Sequence, residues 1–301
     1  MKLFVQGMRR SGTTIVYDAL LEDPALHCLY EPFSHAREAV GGGSGMREAD
    51  LFARVRELRE EFRRTRHPSL DTRLLNWGAP RAPQLELEPD LPVVCRDYLL
   101  FLLEQAPDVV IKEVRMYGKL PMLAALVPGA SLLHLVRDPR AVATSYLMGR
   151  DRRRAALLET PDAFFEHRSK RSMWASRQLA QALSGHPGYE GLADGTDVVC
   201  VLGVWRFVFE QTRAGAAAFG DRQALLRHED VTAQPVAALE AVYRLIGRPP
   251  PATVTNWAGA NIAPRDDVFA PEDPRWGAAM AQAGLDAVLE PAGYGALAAH
   301  S

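Results

Sequence analysis

The run Gly7-Met8-Arg9-Arg10-Ser11-Gly12-Thr13-Thr14 sets two cations and three hydroxyls between a strand and a helix. It follows the apolar residues Leu3-Phe4-Val5 and precedes Ile15-Val16-Tyr17-Asp18-Ala19-Leu20-Leu21. Strand, glycine-bounded turn and helix make the layout of a phosphate-binding loop, in which backbone N–H groups and the helix dipole favour an anion. The spacing matches the pattern G-x-x-x-x-G-K-[ST] at both glycines and at Thr14, but position 13 is Thr rather than Lys. That lysine reaches the β- and γ-phosphates of a nucleoside triphosphate, so its absence argues against ATP or GTP hydrolysis. Arg9 and Arg10 supply charge in its place. The chemistry predicted here is the binding of a nucleotide anion other than a triphosphate.

A second motif narrows the ligand. Ser131-Leu132-Leu133-His134-Leu135-Val136 reads as a buried strand, followed at once by Arg137-Asp138-Pro139-Arg140 and a helix through Ala141-Val142-Ala143-Thr144-Ser145-Tyr146. Arg137 at a strand end and the Ser145 hydroxyl on the next helix can converge on one phosphate. Asp138 is expected to cap that helix, with Pro139 in its first turn. A third stretch runs Ala224-Leu225-Leu226-Arg227-His228-Glu229-Asp230-Val231 into a helix at 235–246.

Arg10-Ser11-Gly12-Thr13-Thr14, paired with Val-Arg-Asp-Pro-Arg-Ala-Val-x-x-Ser at 136–145, resembles the PAPS-dependent sulfotransferases. PAPS is 3′-phosphoadenosine-5′-phosphosulfate, and PAP is what remains when its sulfuryl group has left. The stretch at 224–231 is similar to the Arg-Tyr-Glu-Asp-Leu strand end of that family, with His228 where Tyr is usual. The resemblance spans residues of about 1–35, 105–148 and 220–250. It implies an α/β, three-layer, P-loop-like sulfotransferase fold. By that resemblance Arg9, Arg10, Ser11, Gly12, Thr13 and Thr14 bind the 5′-phosphosulfate, Arg137 and Ser145 bind the 3′-phosphate, and His228 occupies the place of an aromatic residue touching adenine. The family's C-terminal Lys-x-x-Gly-x-x-Gly-x-Trp-Lys loop is absent, and residues 256–276 are the stretch that can replace it. This leans away from the cytosolic phenol and steroid type.

Sulfuryl transfer requires an anchored donor, a base for the acceptor hydroxyl and positive charge at the leaving oxygen. Arg10 matches the family's basic residue before Ser-Gly-Thr-Thr and is the expected charge stabiliser; Arg9 is its alternative. Glu31, in Leu29-Tyr30-Glu31-Pro32-Phe33, ends an expected second strand beside the loop, where a carboxylate can take the acceptor proton. It resembles the Tyr-Glu-Pro of carbohydrate-type members. His27 and His35 are rival bases, and a surface carboxylate is the plain alternative for Glu31. Lys112 and Arg115, at the end of Val109-Val110-Ile111, face either the sulfonate and acceptor or a structural partner such as Glu113 or Asp138. Loop hydroxyls that merely cap a helix, and Trp205 as a core residue, are the corresponding structural readings.

The 301 residues suffice for one or two domains with a sizeable core, and one sulfotransferase domain over 1–301 is expected. A formal net charge of -2 offers no general basis for binding nucleic acid or an anionic membrane. Cys28, Cys95 and Cys200 show no CxxC pairing and suit a reducing compartment. No cluster has metal-ligand spacing, and the PAP leaving group needs no metal in principle. No run reaches membrane-spanning length, and a strand at Lys2 leaves no room for a signal peptide, so a cytoplasmic protein is expected.

These residues need a scaffold. Strands are expected at 2–6, 108–112, 131–136 and 223–227, and helices at 13–22, 117–127, 140–149, near 198–218 and at 235–246. Such alternation predicts a parallel sheet covered by helices on both faces, with ligands at the carboxyl ends of its strands. Two variable segments, about 41–92 and 151–196, interrupt the pattern and are read as helical insertions forming an acceptor lid. The first holds Gly41-Gly42-Gly43-Ser44-Gly45, a charged helix from Arg47 to about Arg66 and an extended stretch from His67 to Pro92. The second carries Arg152-Arg153-Arg154 and Glu166-His167-Arg168-Ser169-Lys170-Arg171, which either solvate a face or meet an anionic acceptor. The reading is transfer of a sulfuryl group from PAPS to a carbohydrate-like or natural-product hydroxyl. A non-catalytic module binding PAP or a sulfated ligand, and a divergent P-loop kinase, are the alternatives.

Overall fold

The computed structural model describes residues 1–34, 46–76, 83–149, 152–169, 177–265 and 267–298. Five strands, β1 (Lys2–Gly7), β2 (His27–Tyr30), β3 (Val109–Glu113), β4 (Ser131–Val136) and β5 (Gln223–Arg227), form one sheet in the order β2-β3-β1-β4-β5. Every neighbouring pair is parallel. The helices are α1 (Thr13–Leu20), α2 (Met46–Arg66), α3 (Pro83–Leu87), α4 (Val93–Leu103), α5 (Leu120–Leu126), α6 (Pro139–Leu147) and α7 (Arg152–Leu157). They continue with α8 (Pro161–Glu166), α9 (Arg177–Leu183), α10 (Asp197–Ala216), α11 (His228–Ala233), α12 (Pro235–Leu245), α13 (Ala252–Asn261) and α14 (Arg275–Gln282).

Successive strand side chains point to opposite faces, and both faces are apolar because both are covered. Leu3, Val5, Val110, Leu133 and Leu135 pack against Val16 and Leu20 of α1, Leu239 and Val242 of α12, and Val254 of α13. Phe4, Leu29, Val109, Ile111 and Leu132 turn the other way, onto Leu58 and Phe62 of α2, Leu99 and Leu102 of α4, and Leu123 of α5. α10 lies along this second face, where Phe209 meets His134 of β4. The result is the expected three-layer α/β architecture.

The parallel register puts Gly7 beside Leu135, Tyr30 beside Lys112 and Val136 beside Arg227. All five strands therefore release the chain at one edge of the sheet. β1 is central, with β3 on one side and β4 on the other, so its loop sits where the winding direction reverses.

Three expectations need correction. The stretch 67–92 is not simply extended: it holds a 3₁₀ turn at Thr72–Leu75, capped by Asp71, and then α3. A further helix, α4, follows it unforeseen, because Val93–Leu103 is apolar on nearly every side and shows little helical period. The helix expected at 117–127 begins as a 3₁₀ turn at Tyr117–Lys119. The glycine run 41–45, His35, Lys170 and Arg171 lie outside the described residues.

Candidate active site

The loop after β1 turns tightly. Ser11 N donates to the Met8 carbonyl at 3.1 Å, and Gly12 adopts φ 86°, a left-handed conformation that glycine takes without steric cost. A side chain at Gly12 would also collide with His228, since a Cβ there would lie 2.2 Å from Nδ1. Arg10, at φ 74°, holds the same left-handed region without being glycine, a strain found mostly at functional sites. The Ser11 hydroxyl is buried and has no hydrogen-bond partner among the described residues. It lies beside the amides at the start of α1, the end of a helix that favours an anion.

Arg137 leaves β4 and donates from Nη1 to the Arg10 carbonyl at 2.8 Å. Its Nη2 is paired with Asp267. Trp205, in the core as expected, donates from Nε1 to the Arg137 carbonyl at 3.1 Å and fixes that backbone. On α6, capped by Asp138 with Pro139 in its first turn, Ser145 Oγ accepts from Arg10 Nε at 2.8 Å. The loop and the Arg-Asp-Pro-Arg helix thus meet in space, as their residue types required. His228 opens α11 against Gly12; burial, and then Arg137, lower its pKa, and its Nδ1 has no partner among the described residues.

Glu31 lies one residue past β2 and not in it, at φ 40°. Its amide donates to the Lys112 carbonyl at 2.7 Å, which continues the strand pairing by one bond. Glu31 Oε1 is paired with Lys112 Nζ, and Oε2 accepts from Ser34 Oγ at 2.7 Å. Burial works to raise the Glu31 carboxyl, but Lys112, then Arg9 and Arg115, outweigh it and hold it well below the usual carboxylate range. Burial likewise opposes the Lys112 charge, and Glu31 more than restores it, so its pKa is raised. The Lys112 ammonium also sits over the Tyr30 ring, 4.2 Å from its centre.

His27 begins β2 and pairs with Val109, the residue opposite Lys2. It is at the amino end of the sheet, opposite the loop; His35 lies outside the described residues. Lys112 and Arg115 do have structural partners: Lys112 pairs with Glu31 and Arg115 with Glu86, and the Glu113 carboxylate adds its charge to both. Two contributors carry no signal in the sequence: Ser34 beside Glu31, and Glu86 from α3. Asp267 is a third, though the 256–276 stretch was marked as one that reaches the site. Two cations of 151–196 are accounted for structurally: Arg168 Nη1 donates to the Asp194 and Gly195 carbonyls, and Arg177 Nε pairs with the buried Asp197 at 3.1 Å, at the start of α10. Among the described residues there is no cluster fit to hold a metal ion and no helix long and apolar enough to cross a membrane.

Among solved structures, the chain is similar to the sulfotransferase domain from the curacin biosynthetic pathway, at 17% identity and TM-score 0.47 over 84% of this chain and 75% of that one. It is similar also to sulfotransferase STF1 from Mycobacterium tuberculosis H37Rv, at 15% identity and TM-score 0.47 over 89% and 73%. A third is the sulfotransferase domain of the Synechococcus PCC 7002 olefin synthase, at 17% identity and TM-score 0.45 over 92% and 82%. No curated protein sequence matches. The model of the sulfotransferase family matches residues 2–183, a stretch that includes the anion loop, Glu31, Lys112, Arg137 and Ser145. On that match, which covers more than half of its length, the chain belongs to the sulfotransferase family.

Proposed function

We propose that this sulfotransferase takes its sulfuryl group from PAPS and gives it to a hydroxyl of a carbohydrate-like or natural-product acceptor, releasing PAP. The observation that supports this most is the junction of Arg10, Ser145 and Arg137, where Arg10 Nε meets Ser145 Oγ at 2.8 Å and Arg137 Nη1 meets the Arg10 carbonyl at 2.8 Å. A nucleotide with phosphates at both its 5′ and 3′ positions suits two adjoining anion sites; one with a single phosphate group leaves Arg137 unused.

In this reading residues 9–14 cradle the 5′-phosphosulfate, Arg137 and Ser145 take the 3′-phosphate, and His228 adjoins the nucleotide. The acceptor oxygen attacks sulfur in line as the bond from sulfur to the 5′-phosphate oxygen breaks. The acceptor proton passes to Glu31, and the electron pair of the broken bond stays on PAP, stabilised by Arg10 and Lys112. The depressed pKa makes Glu31 a poor base while Lys112 holds it. The sulfonate offers Lys112 competing oxygens, and as the ammonium turns to them Glu31 gains basicity. Donor binding therefore prepares the base. The segments about 41–92 and 151–196 form the acceptor side.

Isothermal titration with PAP, AMP and ATP, each with and without Mg²⁺, tests this reading. PAP is expected to bind without metal and about a hundredfold more tightly than AMP, a difference of roughly 2.7 kcal/mol that Arg137→Ala removes. Preference for ATP with Mg²⁺ over PAP would overturn it in favour of a kinase.

A further inference from the structure

A second carboxylate, Glu86, sits at the far end of a buried chain that begins at Glu31. Glu31 Oε2 accepts from Ser34 Oγ at 2.7 Å, and Ser34 Oγ in turn accepts from Arg115 Nη1 at 2.7 Å. Arg115 Nε donates to Glu86 Oε1 at 2.7 Å, and the Tyr117 hydroxyl donates to Glu86 Oε2 at 3.1 Å. Ser34, Arg115 and Glu86 are 3%, 2% and 1% exposed, so water does not compete for these bonds.

The direction of the chain is dictated by its ends. A guanidinium only donates and an ionised carboxylate only accepts. Ser34 has one proton, and because it receives a bond from Arg115 its own proton must go to Glu31. Arg115 can present Nη1 to Ser34 only while its planar fork is fixed, and Glu86 fixes it through Nε. Glu86 is itself held from below. Lys119 Nζ donates to the carbonyls of Leu85 at 2.7 Å and Glu86 at 3.3 Å, which anchors α3 to the start of α5. Glu86 lies in the variable segment 41–92, while Glu31, Ser34 and Arg115 leave the sheet itself.

We propose that Glu86 is a positioning residue for sulfuryl transfer: from α3, through Arg115 and Ser34, it aims the Glu31 carboxylate. This rests on Glu31 being the base, as proposed above.

The test measures PAP release from PAPS by the full chain, with water as acceptor, alongside PAP binding by isothermal titration. Glu86→Gln and Ser34→Ala are each expected to lower kcat about tenfold, less than the roughly hundredfold cost of a full 1 Å misplacement, while KM for PAPS and PAP affinity stay within about twofold. The double variant Ser34→Ala/Glu86→Gln should be no slower than Ser34→Ala, because one path is cut twice. Losses that multiply, or wild-type kcat in Ser34→Ala, overturn the inference. Should Glu86→Gln fail to fold, Glu86→Asp, which keeps the charge but withdraws it from Arg115, takes its place, and wild-type kcat there overturns the inference. Glu31→Gln separates the premises: if it keeps wild-type turnover, the assignment of the base falls. If it loses turnover while Glu86→Gln does not, only the present inference falls.

Discussion

The Glu31 carboxylate is held by Lys112 on one oxygen and Ser34 on the other, and its neighbours keep it ionised although it is buried. Its folded pKa is depressed below the ordinary 4.5, so the stability it contributes is present above that value and is lost as pH falls through the lower folded one. Lys112 is raised above its ordinary 10.5, so its share is present below that value and is lost as pH rises through the higher folded one. The coupling between them should therefore be flat from about pH 5 to about pH 10. Lys112→Met takes from the buried Glu31 its paired cation, leaving only Arg9 and Arg115 to offset the charge, and should cost about 3 kcal/mol in urea unfolding at pH 7. Adding Glu31→Gln should restore part of that loss, and a coupling energy near zero in the double-mutant cycle would show that the two side chains do not pair. At this scale the sequence discloses residues whose neighbours form a pattern: Arg10, Arg137 and Ser145 stand in motifs with characteristic spacing. It hides Ser34, Glu86 and Asp267, because each reaches the site through tertiary packing and none has a local signature. Glu86 comes 55 positions after Glu31 and touches its network only once α3 has docked.

The turn into α1 is the element on which the anion cradle depends, and two separate constraints meet at Gly12. A side chain there carries the left-handed penalty of about 1–2 kcal/mol. It also meets the His228 ring, part of the element that leaves β5. Gly12→Ala is expected to lower Tm by at least about 4 °C, at roughly 2–4 °C per kcal/mol, and to weaken PAP binding about tenfold. His228→Ala in that background should recover the steric part and leave the conformational part. Calorimetry with PAP titration reads both, and an unchanged Tm in Gly12→Ala would mean that His228 does not close on the loop. Strands were the legible elements: 131–136 and 223–227 coincide with β4, an apolar run buried along its whole length, and β5, a half-exposed edge strand that is still a short run ending at a charged turn. The elements of 67–103 were not, because α3 and the 3₁₀ turn are too short for a period and α4 is apolar nearly all round.

At the scale of the whole molecule, the site is closed by chain that comes far apart in sequence. Glu229, just past β5, accepts from the Asp138 amide at 2.9 Å and from the Tyr294 hydroxyl at 2.6 Å, which ties the C-terminal region to the start of α6. Phe269 N donates to Thr144 Oγ1 at 3.1 Å, one residue from Ser145. The same region delivers Asp267 to Arg137, where its carboxylate meets the guanidinium that the 3′-phosphate would need. In the proposed reading the carboxylate and the 3′-phosphate compete for Nη2 of that fork, so Asp267 opposes PAP. Arg137 is 7% exposed and the Asp267 side chain 35%, so the competing pair is partly wet and worth less than a buried one. Asp267→Asn is therefore expected to tighten PAP binding about tenfold, some 1.4 kcal/mol, and to leave AMP, which has no 3′-phosphate, unchanged. Titration of both nucleotides against both proteins measures it. A weaker PAP complex in Asp267→Asn would mean that the carboxylate aims Arg137 instead of competing for it, and equal tightening for AMP would place the effect at the loop of residues 9–14.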